Sequence, residues 1–250
     1  MRVGDLVTRR KYNHDIVFRI RAIKDRVAIL EGEVIRLKAD APLDDLVIAS
    51  IVEKDDNILE NELFVRNDDS ALIKGRVLHI DGDQRYLNRS LKIYSKYNVP
   101  VVGYFLDEKE MPKQITNLLV QHKPDILVIT GHDSYRSVNN QEVYLNSDNF
   151  ILTVKNARIY QPDKDSLVIF AGACQSYYEG LIASGANFAS SPKRLNIHLL
   201  DPVYIAIQVA NTHVGEYVSV DKVLKNTQSH GKGLGGIDTR GVARRIYMGV

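Results

Sequence analysis

With 250 residues and 44% hydrophobic content, the chain has room for one large or two unequal domains and the composition of an ordinary folded protein. Its net charge of +2 gives no overall pull toward nucleic acid or an anionic membrane, and a single cysteine excludes an internal disulfide and suits a reducing compartment. Residues 1–5 lack the apolar core of a secretory signal and no apolar run approaches membrane-spanning length, so a soluble protein made in the cytosol is expected.

Residues 1–52 read as short strands at 5–9, 16–23, 26–31 and 34–37. Apolar and basic residues alternate in the second and fourth, as in half-buried strands, and turn residues divide them. This pattern suits a small SH3-like β-barrel. Residues 1–38 hold ten Lys/Arg and five Asp/Glu. That excess would suit a phosphate or acidic partner, but on a small barrel it is more often the solvated face. Residues 53–69 invert the balance, with seven Asp/Glu and two Lys/Arg. Few apolar residues interrupt them, and 53–74 reads as an acidic linker carrying at most a short helix.

From Gly75 onward strands and helices alternate: a strand at 76–80, a helix from Gln84, a strand at 99–105, a helix from Glu110 and a strand at 126–129. A helix at 148–156, the apolar run from Leu167 to Cys174, a helix from Gln175 through Ile182 and a short strand at 187–190 complete the series. Such alternation predicts an α/β domain over 75–250, a doubly wound and mostly parallel sheet with helices on both faces.

Two of these strands deliver chemistry. The run Ile126-Leu127-Val128-Ile129 leads to Thr130-Gly131-His132-Asp133, and the run from Leu167 leads to Ala171-Gly172-Ala173-Cys174. In open α/β sheets reactive groups gather beyond the carboxyl ends of the strands. Neighbouring strands lie roughly 5 Å apart, so adjacent tips would bring an imidazole to a thiol and favour the thiolate nucleophile. A helix starting at Gln175 would aim its amides at Cys174 and assist an oxyanion. The competing reading is a buried, inert cysteine.

Other candidates compete along this half. Asp81-Gly82-Asp83 ends the first strand, and its carboxylates could hold Mg²⁺ or a cationic side chain, or merely bond local amides in a turn. A haloacid-dehalogenase-type phosphatase would use Asp81 and Asp83 as nucleophile and acid with Thr130 on the phosphate, but the later acidic pair it needs is missing. A glutamine-amidotransferase-like order would take Cys174 with His198 or His213 and leave His132 idle. His79 reads as packed or paired, and the glycine-rich 231–236 as a flexible segment near substrate rather than a phosphate loop. A scaffold whose barrel binds partners is the non-catalytic reading.

His132 and Cys174, each after a short apolar block, resemble the caspase-like clan of cysteine peptidases, which includes caspases, clostripain, gingipain and separase. Within it the chain resembles the YabG family of sporulation-specific peptidases. The resemblance rests on Val77-Leu78-His79-Ile80-Asp81-Gly82-Asp83, Ile129-Thr130-Gly131-His132-Asp133 and Phe170-Ala171-Gly172-Ala173-Cys174-Gln175-Ser176. Ala186-Asn187-Phe188-Ala189-Ser190-Ser191-Pro192, Gly233-Leu234-Gly235-Gly236-Ile237-Asp238-Thr239-Arg240-Gly241 and Val3-Gly4-Asp5-Leu6-Val7 extend it over nearly the whole chain.

The resemblance implies a caspase-like catalytic domain and a protease of spore coat and cortex-associated proteins, acting in the mother-cell cytoplasm or at the forming coat. It implies cleavage after arginine, self-processing, His132 and Cys174 as the catalytic pair, and no metal or other cofactor, nucleic acid or membrane. Caspases place Gly after the His, where this chain has Asp133; the Asp133 and Cys174 amides remain oxyanion donors. Clostripain-like members carry Asp two residues before the nucleophile, where this chain has Gly172. The acid for arginine must then come from elsewhere. Asp81 or Asp83 is favoured over Asp201, with Ser190 in the same pocket, and Arg66 or another arginine near the acidic linker is the expected self-cleavage point.

Overall fold

The computed structural model describes residues 1–49, 72–139 and 141–247. The chain divides into two compact units, Met1–Ile58 and Leu59–Val250. The acidic linker expected at 53–74 lies outside the described residues up to position 71, as does Arg66.

The first unit is an antiparallel sheet of β1 (Leu6–Arg9), β2 (Phe18–Lys24), β3 (Val27–Gly32), β4 (Lys38–Pro42) and β5 (Leu46–Ile48), in the order β4-β3-β2-β1-β5. Period-2 alternation sends Phe18 and Ile20 inward with Val7, Ala28, Leu30, Ala41 and Leu46 to form its core. Asp25 and Arg26, both at positive φ, make the two-residue turn between paired Lys24 and Val27, the geometry that matches strand twist. The expected strand at 34–37 is displaced. The amide of Gly32 donates to Leu37 O at 2.8 Å, closing 33–36 as a connection, and Lys38–Pro42 pairs with β3 instead. β5 was not anticipated.

The second unit runs β6 (Leu72–Ile73), β7 (Val77–Asp81), α1 (Gln84–Lys96), β8 (Val101–Phe105), α2 (Met111–His122) and β9 (Ile126–Thr130). It continues with the hairpin β10 (Tyr135–Val138) and β11 (Gln141–Tyr144), then α3 (Ser147–Tyr160), β12 (Val168–Ala171), α4 (Tyr178–Ala183), β13 (Phe188–Ser190) and α5 (Asp201–Asn211). Last come β14 (Tyr217–Val218), α6 (Val220–Lys225), β15 (Leu234–Gly236), β16 (Thr239–Arg240) and β17 (Arg244–Arg245). Two-stranded pairs join β6 to β17 and β14 to β16.

The main sheet has the order β8-β7-β9-β12-β13-β15, parallel except for β15. β7, β9, β12 and β13 are buried along their whole length, as near-continuous apolar runs require. Helices α2, α3 and α4 cover one face, whose core contains Leu78, Ile80, Leu127, Ile129, Ile169 and Ala171. Helices α1 and α5 pack on the other, where the alternate positions include His79, Asp81 and Thr130. The first five strands follow the order 2-1-3-4-5, so the direction of winding reverses between β7 and β9 and opens a crevice beyond their carboxyl ends.

Three features of this unit depart from the sequence reading. The helix expected from Gln175 begins at Tyr178, because Gln175 adopts a left-handed conformation (φ 60°) that no helix can start through. Helix α5 and the hairpin β10–β11 were not anticipated. The glycine-rich 231–236 ends in β15, an edge strand pairing with β13, rather than a wholly flexible segment.

Candidate active site

The register of the sheet aligns the two strand tips. Ile129 of β9 pairs with Ala171 of β12, and the amide of Gly172 donates to Ile129 O at 3.0 Å. His132 and Cys174 each lie three residues beyond that pair. They therefore leave neighbouring parallel strands at the same height at the carboxyl edge of the sheet, His132 at the β7/β9 reversal and Cys174 one strand beyond it.

Carboxylates hold the histidine. Nε2 of His132 lies 2.9 Å from Asp83 Oδ2, and its backbone amide donates to Glu108 Oε1 at 2.8 Å. Asp83 is also the N-cap of α1, its Oδ1 accepting from the amides of Arg85 (2.9 Å) and Tyr86 (3.1 Å). Glu108, in the segment between β8 and α2, reaches this place because Gly82 and Gly131 have no side chains. A Cβ at either position would overlap its carboxylate. Nothing in the sequence pointed to Glu108; the only trace is a glycine one residue beyond each of two adjacent strands.

The Asp133 side chain, left without a role by the sequence, joins the two tips. Its Oδ1 accepts from the amides of Ser134 (2.9 Å) and Asn146 (2.8 Å), and its Oδ2 from the hydroxyls of Ser147 and Ser176, the latter at 2.9 Å. Ser176 Oγ accepts in turn from the Ala173 amide at 3.0 Å, and Ser147 Oγ from that of Tyr177 at 2.8 Å. Asn146 Nδ2 donates to His132 O at 2.9 Å. Burial pushes the Asp133 carboxyl above the usual range, and these hydrogen bonds, Ser147 first, pull it back.

Hydroxyls and backbone hold the cysteine. Ser190 Oγ donates to Ala173 O at 2.8 Å, while Ser191 Oγ lies 3.2 Å from that oxygen, donates to Leu195 O at 2.5 Å and accepts from the Gln175 amide at 2.7 Å. Gly172, at φ 108°, turns the chain where a Cβ would meet the Ser190 hydroxyl. Sγ of Cys174 lies 3.3 Å from the amide nitrogen and 3.6 Å from the carbonyl oxygen of Ile197, and the thiol is buried. The Gln175 amide, expected to open a helix toward Cys174, is thus engaged with Ser191.

The three candidate arginine-binding carboxylates sit in different surroundings. Asp81, fully buried at the tip of β7 and paired with Thr130, accepts from the Asp83 amide at 3.0 Å and lies 3.5 Å from His79 Nε2. His79 also lies 3.2 Å from Tyr94 Oη and 3.3 Å from Thr130 Oγ1, the packed and paired position expected for it. Asp83 is committed to His132 and the α1 cap. Asp201, at the start of α5, accepts from the amides of His198 (2.9 Å) and Ser229 (3.1 Å), and burial pushes its carboxyl up to about 6. Ser190, expected in the same pocket, has its hydroxyl on Ala173 O of the cysteine turn and not on any of these three carboxylates.

The hairpin following His132 is fastened to the far side of the cysteine turn. The Tyr135 amide donates to Gln175 Oε1 at 3.2 Å, and Tyr144 stacks on Tyr177 with ring centroids 5.3 Å apart. Arg194 lies over both rings and donates to Tyr144 Oη, Glu179 and Glu142.

The family model described as YabG peptidase U57 matches residues 2–65 and 53–248. The chain is 42% identical over 281 aligned residues to the sporulation-specific protease YabG of Bacillus subtilis (strain 168), an alignment covering 97% of this chain and 96% of that protein. No solved structure matches.

Proposed function

Because the chain belongs to the YabG peptidase U57 family, we propose that it is a cysteine endopeptidase of sporulation with His132 as base and Cys174 as nucleophile. The observation that carries this reading is the equal offset of the two residues beyond the Ile129–Ala171 pair. In the reaction His132 accepts the thiol proton and the thiolate attacks the scissile carbonyl. The amides of Asp133 and Cys174 donate to the oxyanion, and His132 returns the proton to the leaving amine. Water then hydrolyses the thioester.

The finer assignments are of the same kind. The doubly wound order and a His strand preceding the Cys strand support a caspase-like catalytic domain over 75–250. The antiparallel sheet around one apolar core supports an SH3-like barrel over 1–52. Spore coat and cortex proteins cut after arginine are the substrates we infer, with self-processing and a mother-cell location. Among the described residues no helix is long and apolar enough to cross a membrane.

For arginine recognition we favour Asp81 over Asp83 and Asp201. A guanidinium cannot shed its charge and needs a carboxylate in a desolvated pocket. Asp81 lies at the switch-point crevice, one strand from His132, whereas Asp83 is engaged with the imidazole. The phosphatase reading loses support for the same reason, because both of its carboxylates would have to face a phosphoryl group.

The deciding experiment incubates the pure protein with peptides differing only in a single Arg, Lys or Gln, with and without a thiol alkylator. Cleavage after Arg that disappears with alkylation and in Cys174→Ala is expected; a folded protein that cuts none of them would favour the scaffold. Asp81→Asn should lower turnover of the Arg peptide by tens to thousands of times, since neutralising one partner of a buried pair costs about 2–5 kcal/mol. Alkylation of Cys174 by an uncharged reagent should change far less. The same selective loss in Asp201→Asn alone would move the pocket there.

A further inference from the structure

We propose that Asp83 is the positioning residue of His132, fixing its tautomer so that Nε2 carries the hydrogen and Nδ1 is the nitrogen that exchanges protons with Cys174 and the leaving amine. This rests on the reading of His132 as the base.

The argument starts from the contact of 2.9 Å between His132 Nε2 and Asp83 Oδ2. An ionised carboxylate only accepts, so the hydrogen between the two atoms belongs to the imidazole. When one ring nitrogen is committed as a donor, the neutral ring keeps its lone pair on the other. Asp83 cannot turn away to relieve this. Its Oδ1 is held by the amides of Arg85 and Tyr86, and its own amide donates to Asp81 Oδ1 at 3.0 Å. Glu108 holds the His132 backbone through its amide, and the Tyr86 ring packs beside the imidazole, 5.5 Å away between centroids.

The cap makes the proposal separable from a merely structural role. Asn and Ser cap helices about as well as Asp, so neither Asp83→Asn nor Asp83→Ser should abolish folding. In Asp83→Asn the cap amides require the side-chain oxygen, which turns the NH₂ group toward Nε2. A donor there reverses the tautomer. Asp83→Ser keeps the cap but cannot span to the ring, removing the carboxylate from Nε2.

The test is nuclear magnetic resonance of protein labelled with ¹⁵N-histidine, in the Cys174→Ala background so that no thiolate perturbs the ring, at alkaline pH. The His132 signals are assigned by their loss in His132→Gln. With Asp83 present, long-range ¹H–¹⁵N couplings should show the Nε2–H tautomer; adding Asp83→Asn should convert it to Nδ1–H, and Asp83→Ser should give a mixture. With Cys174 intact, Asp83→Asn should lower kcat by about 10²–10⁴, the scale of a wrong-tautomer defect in a catalytic triad, with KM little changed. An Nδ1–H ring beside Asp83, an unchanged tautomer in Asp83→Asn, or wild-type kcat in either folded variant would overturn the proposal. The tautomer is read without turnover, whereas proteolysis surviving in Cys174→Ala would refute the thiol mechanism, so the two failures are distinct.

Discussion

The two tips of the sheet are built from opposite materials. Carboxylates surround His132, with Asp83 on the ring, Glu108 on the amide and Asp133 beneath the loop. Neutral hydroxyls surround the turn of Cys174, contributed by Ser176, Ser190 and Ser191. Negative charge supports an imidazolium, and the same charge beside a thiol would oppose its anion. In the mechanism proposed above, this difference would favour a cation on the histidine side and an anion on the cysteine side, with Asp133 and Ser176 as the seam where the two kinds of support meet.

The largest disturbance of this contrast should come from the histidine side. In Gly131→Ala the new methyl group occupies the place of the Glu108 carboxylate, so the His132 amide loses its partner and the tip shifts. A misplacement of order 1 Å costs about 10²-fold in rate. kcat/KM should fall on that scale while Tm drops modestly, and a variant with full activity would show that Glu108 is dispensable.

At the seam, Ser176→Ala removes one of the two hydroxyl donors to Asp133 Oδ2 and takes the acceptor from the buried Ala173 amide. Loss of about 1–3 kcal/mol is expected, visible in urea denaturation, and a change below about 0.5 kcal/mol would mean that the seam relaxes without it. On the cysteine side, Asp201 supplies a pH signature. Its carboxyl is raised from 3.8 to about 6, so the folded state binds the extra proton between those values and stability declines as pH rises through that window. The decline is on the order of 3 kcal/mol, and the slope should flatten in Asp201→Asn. A slope unchanged by that substitution would assign the window to other groups.

The smallest effect concerns the hairpin. Arg194→Gln removes partly exposed ion pairs that contribute little to global stability. It should leave Tm nearly unchanged but speed amide exchange across Tyr135–Val138 and Gln141–Tyr144. Unaltered exchange there would show that the Tyr144–Tyr177 stack suffices.

The parallel strands were legible because four or five consecutive apolar residues suit a strand buried on both faces, and the residues just past them, His132 and Cys174, stood out for that reason. Residues 34–37 misled because Val34 and Ile35 favour strands, whereas Lys38–Pro42, with two alanines and a proline, does so weakly yet pairs along β3. Helix α5 escaped because it is buried on nearly every side, so its apolar residues show no amphipathic stripe. Glu108 and the hydroxyl network escaped for a different reason. Their roles are set by what neighbouring strands omit or offer, and hydrogen-bond partners from distant segments leave no spacing to read.

The thiol touches Ile197, and the loop that presents Ile197 is tied through Asp201 to the start of α5 and to Ser229. The edge of the sheet beyond it is closed by β15. During translation both members of the proposed catalytic pair therefore emerge before several of the segments that shape their surroundings. A growing chain carries the histidine and the cysteine but not the finished crevice, so the order of synthesis itself delays proteolytic competence until the last strands and helices have docked.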